Sequence, residues 1–253
     1  MLAPPTANEL ACIKHLKENV SLNDVEKGDE AFLSEETYLR FTRARDADFG
    51  KALTMLKECV TWRRQFRPFA IEANELAGIL QLGTVYLAGL CVHGRPVMYM
   101  HPGAKNPFPA ETRVKLMVFL LEETMRRGYT SLTWVFDFSK MGERGKDEHS
   151  AATRKDTMHI LQNYYPERLG ALYMLNTPWY FRAIATLVWP FIDKRTRAKI
   201  FISMKLKNLT DCIAKDQLVE AFGGDFVLPK DDIAADPVAA LEQLIPRRLI
   251  PSH

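Results

Sequence analysis

The stretch YYPERLGALYMLNTPWYF, residues 164–181, contains the feature that decides the fold. A charged turn, Glu167 and Arg168, stands directly before an apolar run at 171–176 that has the length and composition of a buried strand. A proline and aromatic residues then open a segment, 178–192, that we predict to be a helix apolar nearly all round. This succession is typical either of ordinary core structure or of the rim and lid of a pocket.

The segments around this stretch predict an α/β fold. Upstream, the sequence predicts helices over 34–45, with Ser34 as N-cap, and from Asp48 to about residue 66. Two short β-rich runs at 84–90 and 96–101 follow, separated by a glycine turn. From there the predicted elements alternate: helix 109–127, strand 131–138, helix 148–164, strand 171–176, helix 178–192 and strand 199–204. Strands that alternate with crossover helices indicate a mostly parallel sheet. After residue 226 a Pro- and Ala-rich tail is expected to run over the surface.

The composition limits the class of protein. The chain has 253 residues, 47% of them hydrophobic and 26% charged, as in an ordinary globular protein. A formal charge of +3 is too small to indicate a nucleic-acid partner. The four cysteines lie far apart with no histidine at metal-ligand spacing, which predicts reduced thiols and no metal. No signal peptide is visible and the longest apolar stretch is far short of a membrane span, so we expect a soluble cytoplasmic protein.

Motifs of common enzymes are missing, and we expect no catalytic site and no cofactor. The sequence has no Walker A loop, no G-x-G-x-x-G and no G-x-S-x-G, and its six histidines are scattered. Two interpretations fit an arginine cluster at the end of the first predicted helix, which comprises Arg40, Arg43 and Arg45. Its positive charge either complements the helix dipole or binds phosphate. The helix at 178–192 likewise predicts either a core helix or a lid whose Trp179, Tyr180 and Trp189 anchor at a bilayer.

Several motifs in consistent order resemble the CRAL-TRIO lipid-binding family, in particular its phosphatidylinositol/phosphatidylcholine transfer proteins. They are YLRFTRARDADFGKALTMLKECVTWRR, GRPVMY, YYPERLGALYMLNTPWYF, FIDKRTRAKIF and AFGGDF, within residues 30–226. The resemblance implies a helical N-terminal subdomain (1–75), a lipid-binding domain (76–226) and a C-terminal tail (227–253). The parallel sheet would floor a lipid pocket, and a gate helix would close it. The gate residues implied are Trp179, Ile184, Leu187, Val188 and Phe191.

The resemblance also implies a site for the inositol phosphate headgroup. The positions that match the family's headgroup contacts are Arg45, Pro96, Glu167, Thr196 and Lys199. Chemically the set is coherent, because the cations suit a phosphate, the hydroxyl is an adaptable partner, and the carboxylate accepts from inositol hydroxyls.

Departures from the family pattern predict that phosphatidylcholine is not bound. One departure, Asp46 in place of a second basic residue after Arg45, is expected to weaken the attraction for phosphate, and the others concern choline. Leu132 and Trp134 stand where relatives have hydroxyl side chains, and Met98 stands where they have a tyrosine. The predicted pocket for a second, more apolar ligand comprises Met98, Met100, Leu132, Trp134 and Phe136.

The function expected is binding of phosphatidylinositol, with transfer between membranes or presentation to a lipid kinase, during transient contact with a membrane surface. One alternative keeps the pocket for a sterol, a retinoid-like molecule or haem, and it is motivated by the lost choline contacts and by Tyr99 and His101 on a strand expected to line the pocket. Another is an enzyme or regulatory scaffold acting on a small GTPase or a lipid kinase.

Overall fold

The computed structural model describes residues 3–141, 150–181 and 194–248, which fall into two compact units. The first unit comprises Met1–Ile71 and Ala152–Arg168, and the second comprises Glu72–Ala151 and Leu169–His253. The described helices are α1 (Ala7–Asn19), α2 (Glu35–Ala44), α3 (Phe49–Phe66), α4 (Ala77–Gln81), α5 (Ala110–Arg126), α6 (Ser150–Tyr164), α7 (Lys194–Arg197), α8 (Lys230–Ala235) and α9 (Pro237–Leu244). Short 3-10 turns connect several of them.

The first unit is helical, and side chains read directly from the sequence begin its helices. Ser34 accepts a hydrogen bond from the backbone N–H of Thr37 at the start of α2 (3.2 Å). Asp48 accepts one from Lys51 at the start of α3 (3.0 Å). Both contacts satisfy backbone donors that a helix start otherwise leaves without a partner. The prediction of helices at 34–45 and from Asp48 to residue 66 is confirmed.

The core of the first unit is formed by α1, α2 and α3. Apolar residues buried together there include Leu16, Phe41 and Leu56. A buried ion pair completes this core: Arg63 donates from Nε and Nη2 to the two carboxylate oxygens of Asp29 at 2.7 and 2.8 Å. Because both charges are almost fully buried, their bidentate pairing offsets the cost of removing them from water.

The second unit contains a five-stranded sheet in the order β1-β2-β3-β4-β5. The strands are β1 (Val85–Leu90), β2 (Pro96–Met100), β3 (Leu132–Asp137), β4 (Leu169–Leu175) and β5 (Ile200–Met204). β1 and β2 form an antiparallel hairpin, and β2 to β5 run parallel to one another. This confirms the predicted α/β class with its mostly parallel sheet.

Two regions differ in detail from the sequence prediction. β4 begins at Leu169, before the predicted 171, and its Gly170 lies so close to Arg95 that an added Cβ would be 2.5 Å from the arginine Cδ. After residue 226 the chain forms α8 and α9. Asp236 caps α9 by accepting from the backbone of Val238 and Ala239, both at 3.0 Å, and Leu241 and Leu244 of this helix are buried.

Candidate functional site

One face of the sheet carries a continuous apolar row across all five strands. The strand register places Leu87, Met98, Trp134, Leu172 and Ile200 side by side. Side chains two positions apart in a strand point to the same face, so a parallel row follows it: Met100, Phe136 and Met174. We call this surface the apolar face. It contains Met98, Met100, Leu132, Trp134 and Phe136, the residues predicted to line a pocket for a second ligand.

Burial decreases along the main row of the apolar face. Met98 is 0% exposed and Trp134 5% exposed, whereas Leu172 and Ile200 are only half-buried. Phe136 and Met100 in the adjacent row are half-buried as well. The chain covers this apolar surface only in part. Covering the rest with hydrocarbon would stabilise a complex by about 25 cal/mol per Å² of apolar area removed from water.

The opposite face of the sheet, which we call the aromatic face, is packed along β1 to β4. The register row next to the apolar row reads Tyr86, Tyr99, Val135, Tyr173 and Phe201. Tyr99 is 0% exposed, and its ring stacks on Tyr86 and on Phe222, with 5.1 Å between ring centroids in both pairs. Burial raises the pKa of the Tyr99 hydroxyl.

Tyr99 and His101, which motivated the alternative of a different hydrophobic ligand, therefore do not share a face with the predicted ligand pocket. The side chains of Tyr99 and His101 lie on the aromatic face, within a column of rings, and not beside Met98 and Met100. The sequence predicts the strand that carries Tyr99, and His101 directly follows that strand, but the prediction does not distinguish its two faces.

Polar side chains meet where the parallel strands end at their carboxyl termini. The Asp137 carboxylate accepts from Asn176 Nδ2 (2.7 Å) and from the Ser139 backbone and hydroxyl (3.0 and 2.7 Å). His101 Nδ1 lies 3.6 Å from Asp137 Oδ2. Burial would raise the pKa of Asp137, but these hydrogen bonds outweigh it and lower the pKa. At this edge, where α/β sheets often bind ligands, these polar side chains therefore contact one another.

Three predicted headgroup residues lie at the opposite, amino-terminal edge of the parallel strands. Pro96 is the first residue of β2 and is buried. Thr196 lies in α7, and its carbonyl accepts from the backbone N–H of Lys199 at 3.0 Å. The Lys199 carbonyl in turn accepts from Leu172 N at 2.7 Å, which holds the turn before β5 against β4. Thr196 and Lys199 are half-buried.

The other two predicted headgroup residues, Arg45 and Glu167, belong to the first unit. Arg45 is the C-cap of α2, is half-buried, and donates from Nη1 to the carbonyl of Ala44 (2.9 Å). Glu167 is half-buried in the turn that follows α6 and has a left-handed backbone, φ +57°. This conformation is uncommon for a residue with a side chain.

Of the predicted gate helix, the structure describes residues up to 181. Trp179 is 84% exposed, and its ring packs edge to face on Tyr180. Phe181 packs on Phe138 in the second unit, 5.3 Å between centroids. The remaining gate residues of the prediction, Ile184, Leu187, Val188 and Phe191, lie outside the described residues. Across the described ranges, no helix is both long and apolar enough to cross a membrane.

Sequence reasoning missed the partners of the arginine cluster. Arg40 pairs with Glu36 at 2.7 Å and donates to the Glu167 carbonyl at 2.5 Å. Arg43 pairs with Glu9 at 2.8 Å. The spacing of Glu36 and Arg40, four residues apart in a helix, was a readable signal for their ion pair. The contacts with Glu9 and Glu167 bridge distant parts of the chain and leave no local pattern.

Comparison with known families agrees with this architecture. Residues 80–224 match the model of the CRAL/TRIO domain, more than half of the chain. The chain therefore belongs to the CRAL/TRIO domain family, as its motifs predict.

Its relatives include Sec14-like proteins of fungi. The SEC14 cytosolic factor of Eremothecium gossypii is 31% identical over 76% of this chain and 70% of its own length. The phosphatidylinositol transfer protein PDR17 of Saccharomyces cerevisiae is 26% identical over 76% of this chain and 62% of its own. A CRAL-TRIO domain-containing protein of Schizosaccharomyces pombe is 29% identical over 84% of this chain, which spans only 21% of that relative.

A solved structure shows the same fold. The crystal structure of Sfh5 aligns with 100% of this chain and 94% of its own, with a TM-score of 0.64 and 19% sequence identity. At this identity the likeness establishes the fold alone.

Proposed function

We propose that the protein binds phosphatidylinositol and transfers it between membranes or presents it to a lipid kinase, without covalent chemistry. The observation that carries the proposal is the apolar face: a five-strand row of apolar side chains, half-buried at Leu172 and Ile200, in a member of the CRAL/TRIO family. A relative named as a phosphatidylinositol transfer protein supports the choice of lipid.

The acyl chains would lie on the apolar face. Each methylene removed from water stabilises the complex by about 0.8 kcal/mol. The aromatic face is closed by Tyr86, Tyr99 and Phe222, so the apolar face is the better surface for hydrocarbon.

The headgroup would be recognised by Arg45, Pro96, Glu167, Thr196 and Lys199. Two of these positions stand directly before parallel strands, Glu167 two residues before β4 and Lys199 one residue before β5. Lys199 and Arg45 supply positive charge for the phosphate, and Glu167 supplies an acceptor for inositol hydroxyls.

Phosphatidylcholine would be a poor ligand. Met98, Leu132 and Trp134, which replace the polar and aromatic side chains of the family pattern, lie on the apolar face and are almost fully buried. Met98 and Leu132 offer a phosphocholine group neither a hydroxyl nor an aromatic ring, and Trp134 has no hydroxyl to replace the one in the family pattern. A more apolar second ligand fits Met98, Met100, Leu132, Trp134 and Phe136 better.

Exchange would take place during transient contact of a cytoplasmic protein with a membrane surface. Trp179, 84% exposed, and Tyr180, 39% exposed, are of the residue types that settle at a bilayer interface. We expect the segment 178–192 to act as the gate, opening when its apolar side chains meet lipid.

Transfer of labelled phosphatidylinositol between phosphatidylcholine vesicles tests the proposal. Lys199→Ala and Glu167→Ala should each lower the transfer rate about tenfold or more, since each removes a charge-assisted hydrogen bond. Lys207→Ala, which truncates an exposed lysine of the same unit, and Glu111→Ala, at an exposed position of α5, should transfer normally.

Circular dichroism should show the same fold for all four variants. Normal transfer by both Lys199→Ala and Glu167→Ala would overturn the headgroup assignment. A wild-type protein that moves phosphatidylcholine as fast as phosphatidylinositol would overturn the proposed specificity.

A further inference from the structure

A single carboxylate oxygen on α2 binds two arginines from distant parts of the first unit. Glu36 Oε1 accepts from Arg40 Nε and Nη2 at 2.8 and 2.7 Å. The same oxygen accepts from Arg168 Nη1 at 2.9 Å, although 132 residues separate the two in sequence. Glu36 thus connects α2 to the turn that follows α6.

Besides its contact with Glu36, Arg40 contacts that turn directly. Its Nη1 donates to the backbone carbonyl of Glu167 at 2.5 Å. The Arg40 side chain is 2% exposed, so both of its contacts lie where water competes little. Charge-assisted hydrogen bonds in such surroundings are strong and fix geometry.

Two contacts hold the turn, one on each side of the peptide bond between Glu167 and Arg168. Arg40 holds the carbonyl of Glu167, and Glu36 holds the side chain of the next residue, Arg168. The preceding Tyr165 is buried, with its ring packed edge to face on Trp62 at 5.9 Å. Between these fixed points Glu167 adopts its left-handed backbone, φ +57°. In that region of φ and ψ the direction of the side chain differs from the one an α or β backbone would give.

We infer that Glu36, Arg40 and Arg168 form a clamp that holds Glu167 in the one backbone conformation that presents its carboxylate to the inositol headgroup. Arg40 is then a positioning residue that acts through Glu167 and does not touch the lipid. The inference rests on the proposed function, in which Glu167 contacts the headgroup. Arginine suits this role because its rigid planar fork donates to a carboxylate and a carbonyl in fixed directions, whereas a lysine ammonium is a point charge on a flexible stem.

A double-mutant cycle on phosphatidylinositol transfer tests the clamp, with Arg40→Lys, Glu167→Gln and the double variant. Arg40→Lys keeps the charge but loses the fork, and we expect the transfer rate to fall about tenfold. If Arg40 acts through Glu167, the double variant transfers no more slowly than Glu167→Gln alone. Arg43→Lys is the matched control, because Arg43 lies on the same helix but pairs with Glu9, and its transfer rate should equal that of the wild type.

The outcomes separate the clamp from the proposed function. If the decreases in transfer rate of the two single variants multiply in the double variant, Arg40 and Glu167 act independently. That result would overturn the clamp but not the headgroup site. Normal transfer by Glu167→Ala, which removes the acceptor that glutamine would keep, overturns the headgroup assignment and the clamp with it. Thermal unfolding shows whether each variant is folded, and if Arg40→Lys is not, the near-isosteric Glu36→Gln, at a side chain 34% exposed, replaces it in the same cycle.

Discussion

The two faces of the sheet are formed by the same strands but differ in how completely they are covered. On the aromatic face, Tyr99 is fully enclosed between Tyr86 and Phe222. On the apolar face, the corresponding row is half-buried at Leu172 and Ile200. On β4 the adjacent residues Tyr173 and Leu172 therefore have different roles: Tyr173 is buried in the packed aromatic face, and Leu172 is half-buried on the apolar face, the surface proposed for the ligand. Because side chains alternate in a strand, a shift of register by one residue would exchange the two roles.

The largest effect on stability is expected on the aromatic face. Tyr99→Ala removes a fully buried ring between two stacked partners, which should lower the free energy of unfolding by about 3–5 kcal/mol. Leu172→Ala, on the half-buried part of the apolar face, should lower it by only about 1 kcal/mol. Urea unfolding followed by circular dichroism measures both. Equal losses would show that the two faces are packed alike and would remove the contrast between them.

A smaller, pH-dependent effect is expected at the carboxyl edge of the aromatic face. Burial lowers the pKa of His101 from its ordinary value of 6.5, and the Asp137 carboxylate opposes this. The fold thus favours neutral His101, so its contribution to stability is complete above pH 6.5 and decreases as the pH falls below that value. Asp137, whose pKa is lowered from 3.8, adds a second loss only in stronger acid.

His101→Gln should therefore flatten the decline of unfolding free energy as the pH falls below 6.5, where the imidazole gains its proton in the unfolded chain before it does so in the folded one. Urea titrations at a series of pH values measure the slope. His93→Gln, at an exposed position of the β1–β2 hairpin, is the control and should keep the wild-type slope. An unchanged slope in His101→Gln would assign the acid sensitivity to other groups.

Much of this architecture could be predicted from local patterns. Caps such as Ser34 and Asp48 mark helix starts through short-range hydrogen bonds, and apolar runs alternating with helical segments indicate a parallel sheet. Motif matches likewise identified the family, and residues 80–224 confirm it.

What could not be predicted depends on long-range geometry. The register that aligns Met98 with Trp134 and Leu172 is set only when the strands pair. Strand alternation places Tyr99 and Met98 on opposite faces, but which of the two faces is packed depends on elements distant in sequence, such as Phe222. Arg40 was interpreted through its own helix, whereas its carbonyl partner is Glu167, 127 residues away. No local pattern encodes such a contact.

The lipid that co-purifies with the protein tests the central claim most directly. Ile200 and Phe201 are neighbours on β5 that belong to different faces, and Phe201 is 47% exposed. Native mass spectrometry of the wild type and of Phe201→Glu should show one phosphatidylinositol per chain, whereas Ile200→Glu, which places a charge on the apolar face, should fold but carry none. A wild-type protein without phosphatidylinositol, or an Ile200→Glu variant that retains it, would contradict the account.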